Sequence, residues 1–169
     1  PGPDNPAAPD LSDNPYGQAH AEAFGEFDLP LLDTWWLAED NGREGVWNIG
    51  GSLGLYIPNR PVYDNRKEIW LQITCDTGCW DALPHVLSVP DYASATLVEQ
   101  IDLGGGYRHD TYHIVIKPNP DDEWLYLLPR YGQVYIDQGV VDTICLPEPV
   151  SALLLGPGLF ALSLRRRGR

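Results

Sequence analysis

The chain has 169 residues, 24 of them acidic and 11 basic, for a formal net charge of −13. Charge of that sign repels phosphate backbones and anionic headgroups, which argues against nucleic-acid binding and leaves neutral glycans, divalent cations or plain solubility outside the cell. Four of the basic residues, Arg165, Arg166, Arg167 and Arg169, are crowded at the end, so the remainder is more acidic still.

There is no Met in the chain, and position 1 is Pro, as expected if a signal peptide has been removed on export. Residues 1–18 are rich in Pro, Asp, Asn and Ala and read as a disordered or extended leader. Residues 19–146, roughly 130 in number, suffice for one domain with a real core. Glu22 to Phe27 reads as a short first strand, and Val46 to Ile57 as a strand broken at Gly50-Gly51 by a bulge or bend. Glu68 to Thr74 alternates well: Ile69, Leu71 and Ile73 share one face, Trp70, Gln72 and Thr74 the other. Thr96 to Leu103 and Tyr107 to Lys117 flank Gly104-Gly105-Gly106, a hairpin turn where positive φ is needed. Trp124 to Leu128 and Gln133 to Ile144 supply the last strands, with turn signals at Pro58-Asn59, Pro118-Asn119-Pro120 and Arg130-Tyr131-Gly132. The expected fold is all-β, an antiparallel β-sandwich that is jelly-roll-like, with the extended leader before it and a C-terminal membrane-sorting helix at 147–169.

Six Trp and nine Tyr against three Phe is a skewed aromatic set. Rings with polar handles suit surfaces that stack on the apolar faces of sugars. Trp70 is the leading candidate because it lies with Gln72 and Thr74, opposite the aliphatic face. Trp35 and Trp36 are adjacent, so in an extended segment one of them points away from the core. Trp80 lies in the loop after the cysteine pair. Trp124 and Tyr126 share a face with Leu128 and are expected in the core.

Cys75 and Cys79 bracket the turn-forming Asp76-Thr77-Gly78, so a local disulfide is expected between them, with Cys145 left over. A zinc site would need a second Cys pair with finger-like spacing, and none exists. His109 and His113 share a strand face, yet no third ligand accompanies them. A nucleophile elbow, a Walker loop and a Rossmann fingerprint are all missing, so enzyme activity has no positive support.

Two resemblances add to this reading. Val134 to Asp142, with its Tyr135-Ile136-Asp137 step, is similar to the closing strand of jelly-roll carbohydrate-binding modules. That likeness implies a structural calcium at Asp137, for which Glu22, Glu26 and Asp28 would supply further oxygens. The end of the chain has three parts in fixed order: Pro147-Glu148-Pro149, an apolar run from Val150 to Leu164, then the arginines. This order resembles the PEP-CTERM sorting tail of bacterial envelope and matrix proteins. It implies an exosortase-type processing enzyme as partner, insertion of the tail in the membrane, and arginines held on the cytoplasmic side.

Three functions follow as expectations. The first is a non-catalytic exported protein of the cell envelope, cell surface or extracellular matrix that binds polysaccharide. The second is a self-associating matrix protein without a ligand, favoured by an exposed sheet edge. The third is an exopolysaccharide hydrolase, which needs two carboxylates roughly 5 to 10 Å apart in a cleft.

Overall fold

The computed structural model describes residues 13–24, 35–59, 66–76, 85–86, 93–129 and 133–146. Ten strands fill most of them: His20–Phe24 (β1), Trp35–Asp40 (β2), Arg43–Gly50 (β3), Ser52–Pro58 (β4), Arg66–Asp76 (β5), His85–Val86 (β6), Ala93–Gly104 (β7), Tyr107–Ile116 (β8), Asp122–Leu127 (β9) and Gln133–Leu146 (β10). They form a four-stranded sheet, β1-β4-β9-β6, and a six-stranded sheet, β2-β3-β10-β5-β8-β7. Every pairing is antiparallel. The fold is therefore all-β and sandwich-like, as the alternation of short apolar segments with Gly and Pro turns implies. Residues 1–12 of the expected leader at 1–18, the end of the expected first strand at 25–27 and the tail at 147–169 lie outside the described residues, among which no helix is long and apolar enough to cross a membrane.

Two glycine-rich points organise the chain. At Gly50-Gly51 the expectation was a bulge or bend within one strand. The structure instead makes a corner: β3 ends in the six-stranded sheet, Gly51 takes φ 119°, and β4 begins in the other sheet. Only glycine adopts that backbone without strain, so the chain changes layers there. Gly104, Gly105 and Gly106, with φ of 73°, 65° and 82°, close the expected β7–β8 hairpin. The β2–β3 hairpin turns through Asn41 and Gly42, both at positive φ, which is the signature of a two-residue primed turn. That signal was present in the sequence, and the hairpin was not among the expected elements.

The core lies between the sheets. Ile69, Leu71, Ile73 and Cys75 of β5, Ile114 and Ile116 of β8 and Val134 of β10 face Leu53 and Ile57 of β4 and Leu125 and Leu127 of β9. Fully burying each such aliphatic side chain contributes about 1.5 to 3 kcal/mol. Strand alternation then leaves the opposite face of each sheet to be filled by other residue types.

Candidate functional site: the outer faces of the two sheets

The β5 alternation that buries Ile69 and Leu71 turns Trp70 outward, where it is 37% exposed. It is the centre of a row across four strands: Thr96 of β7 pairs with His113 of β8, His113 with Trp70, and Trp70 with Asp142 of β10. The His113 ring stacks on the indole at 4.5 Å between centroids and 23° between planes. His113 Nε2 also meets Glu68 Oε2 at 3.0 Å, and Glu68 is ion-paired with Arg66. Gln72 and Thr111 form the next row and continue to Val140. The result is an open platform: one large ring held in place by a second, with amide, hydroxyl and carboxylate groups around it. Such a surface offers a flat apolar patch together with hydrogen-bonding groups at its margin.

The other aromatic candidates are placed differently. Trp35 is also 37% exposed, on the edge strand β2. Trp36 turns inward and meets the Trp47 ring edge-on at 6.2 Å. Its indole lies so close over Gly45 that a Cβ there would come within 2.8 Å of the ring. One of the adjacent pair is outward and one inward, as extended backbone requires. Since β3 and β10 stand between β2 and β5, Trp35 is not assembled with Trp70. Trp80 lies outside the described residues.

The expectation that Trp124 and Tyr126 belong to the core is corrected. In β9 it is Glu123, Leu125 and Leu127 that point inward and are buried, leaving Trp124 and Tyr126 on the outer face of the four-stranded sheet. There His20 of β1, Tyr56 of β4 and Trp124 of β9 are direct cross-strand neighbours. Tyr56 and Trp124 are 5.2 Å apart, His20 and Trp124 5.3 Å, and Trp124 and Tyr126 5.9 Å. This second aromatic row is a site the sequence pattern concealed, because its inward position is held by a glutamate.

Of the proposed calcium ligands, the two that are described, Asp137 and Glu22, lie in different sheets. Asp137 carries an ion pair to Arg43 at 2.5 Å, so a cation already meets its charge. The Arg43 guanidinium also lies 4.9 Å over the Tyr107 ring, and the Tyr107 hydroxyl donates to Asp40 at 2.9 Å. Burial pushes the Tyr107 hydroxyl well above the usual phenol range, with the Asp40 hydrogen bond and charge adding to it. Burial likewise raises Asp76, while the Tyr135 amide that donates to it at 3.0 Å and the charge of Arg108 oppose the shift. Glu22 belongs to the other sheet, 3.6 Å from His20, and Glu26 and Asp28 lie outside the described residues. Among the described residues no group of three or more His, Cys, Asp or Glu side chains is assembled to hold a metal ion.

The remaining candidates divide. His109 Nδ1 meets Thr74 Oγ1 at 2.9 Å, so the two histidines of that face have separate partners. Asp110 points inward. Cys75 is fully buried at the end of β5, and Cys145 Sγ accepts from Asn119 Nδ2 at 3.8 Å. Cys79 and the sorting motif Pro147, Glu148 and Pro149 lie outside the described residues. No protein-family model, curated protein or solved structure matches the chain.

Proposed function

We propose that this is a non-catalytic, exported protein of the bacterial cell surface or extracellular matrix that holds polysaccharide on an open sheet face. The exposure of Trp70 carries the reading. A tryptophan on the Gln/Thr side of a regular strand is costly to leave in water without use, and its ring is already oriented by His113. Affinity electrophoresis of the full chain through gels holding different neutral polysaccharides tests it. Stacking one ring on a sugar contributes about 1 to 2 kcal/mol, so Trp70→Ala should weaken retardation roughly 5- to 30-fold. Equal migration of the two proteins in every gel would remove the basis of the proposal.

Nested strand pairs support the finer reading of a jelly roll. β3 pairs with β10, β4 with β9 and β5 with β8, as in one long hairpin rolled across two layers. The departure is β7, which joins β8 rather than β6. Export and surface sorting rest on the Pro147-Glu148-Pro149 tail, and a Cys75–Cys79 bridge, as the cysteine spacing predicts, would fit the oxidising compartment that export implies. In a host with an exosortase, Pro147→Ala/Pro149→Ala should accumulate as unprocessed, membrane-held chain. Normal processing of that variant, read by mass, would sink the assignment.

Self-association is the second reading, and β7 favours it. It is a 12-residue edge strand carrying exposed Leu97, Val98, Ile101 and Leu103. The exposed Glu99 and Asp102 and the register shifts between Leu97 and Glu99 and between Asp102 and Gly104 blunt this edge only in part.

A further inference from the structure

Buried between the sheets is a set of groups that neither reading uses. Lys67 of β5 and Glu123 of β9 are 1% and 0% exposed, and they come from opposite layers. Asn59, the residue after β4, lies between them. Lys67 Nζ donates to Asn59 Oδ1 and to Glu123 Oε1, and Asn59 Nδ2 donates to Glu123 Oε2. An amine, a carboxamide and a carboxylate thus contact one another pairwise, out of water. We propose that Lys67 and Asn59 join in an autocatalytic isopeptide bond, with Glu123 carrying the protons.

Removal from water favours the neutral members of the pair, an amine and a carboxylic acid, over ammonium and carboxylate. Burial does push the Glu123 carboxyl up, against the pull of the Lys67 charge and of the bonds from Lys67 and Asn59. One proton moving along the Lys67–Glu123 hydrogen bond therefore exposes the Nζ lone pair. Nζ attacks Asn59 Cγ, and a Nζ–Cγ bond forms. Glu123, now the neutral acid, gives its proton to Asn59 Nδ2, and the carboxylate so formed takes one from the attached Nζ. The Cγ–Nδ2 bond breaks and ammonia leaves. An amine and a primary amide have become a secondary amide and ammonia. Glu123 is regenerated, and nothing is oxidised or reduced.

The surroundings fit each step. Asn119 Oδ1 at 3.2 Å and the Pro120 carbonyl at 2.7 Å hold the departing nitrogen. Fixing the reactants in contact supplies effective molarities on the order of 10⁵ to 10⁸ M, enough to drive an amide exchange that is immeasurably slow between free side chains. Residue choice points the same way. Nine of the eleven basic residues are arginine, and only Lys67 and Lys117 are lysine. A guanidinium stays protonated and would be useless as a nucleophile, whereas a buried lysine amine is a competent one. The bond would tie the end of β4 to β5, across the point where the chain passes between layers. It does not depend on whether the outer face binds glycan.

The intact mass of the full chain, folded, then denatured and reduced, decides the matter. Wild type should be lighter than its sequence by one ammonia, whereas Lys67→Arg and Glu123→Gln should have their full masses. A digest should yield one branched peptide joining Asn59 to Lys67. Reductive methylation of the denatured wild-type chain should mark one lysine, the exposed Lys117, and this reading needs no variant to fold. A succinimide elsewhere would also remove ammonia, but the loss would persist in Lys67→Arg, and that outcome overturns the proposal. So does a wild-type chain at its full sequence mass with both lysines methylated.

Discussion

Glu123→Leu is expected to destabilise the folded chain by about 3 to 5 kcal/mol, because it removes the carboxylate that meets the Lys67 amine in a site closed to water. Against a total folding stability of roughly 5 to 15 kcal/mol, that leaves a chain near its limit. The double replacement Lys67→Met/Glu123→Leu should recover most of the loss, since two apolar side chains of similar volume need no solvation. Urea unfolding of the three proteins measures both numbers. A single variant within about 1 kcal/mol of wild type would mean that water reaches the pair, and the burial argument would fail. The double variant also lacks any route to a Lys67–Asn59 bond, so its residual deficit bounds what that bond adds to stability.

The same two residues explain where the sequence was legible and where it was not. From Ile69 to Ile73 the alternation is regular, and the structure keeps it, aliphatics in and Trp70 out. One step earlier Lys67 occupies an inward position, which breaks the apolar pattern, and the expected strand began at Glu68. In β9 the partner charge has the opposite consequence. With Glu123 inward, the alternation is inverted relative to what polarity suggests, and Trp124 and Tyr126 go to the outer face. A single-sequence pattern treats each charge alone, and these two are tolerable inside only together. Asp137 shows a further limit. It lies in β10, but its partner Arg43 is 94 residues away and enters from the β2–β3 hairpin. Local resemblance could suggest a cation there without indicating that the chain supplies its own.

Asp110→Ala should be the other severe substitution, at about 3 kcal/mol. Asp110 is fully buried on the inner side of β8, on a strand whose outer side carries His109, Thr111 and His113. Its carboxylate accepts from Gln100 Nε2 at 2.9 Å, Arg108 Nε at 2.9 Å and the Tyr112 hydroxyl at 3.1 Å. Burial and the adjacent Asp110 charge together raise the Tyr112 hydroxyl far above the usual phenol range, so it remains a donor at any ordinary pH. Truncation to alanine strands that donor in the core and takes from Arg108 the carboxylate it meets. Asp110→Asn keeps one acceptor oxygen and the side-chain volume, and should lose only about 1 to 2 kcal/mol. Thermal unfolding of both variants provides the comparison. Since among the described residues β7 pairs with β8 alone, and Gln100 lies on β7, the alanine variant should also loosen that edge strand. Amide exchange should accelerate across Ala95 to Asp102 more than across β3 or β10. Equal losses for alanine and asparagine, with no preferential exchange in β7, would show that the carboxylate's charge and its link to Gln100 contribute nothing to holding the edge.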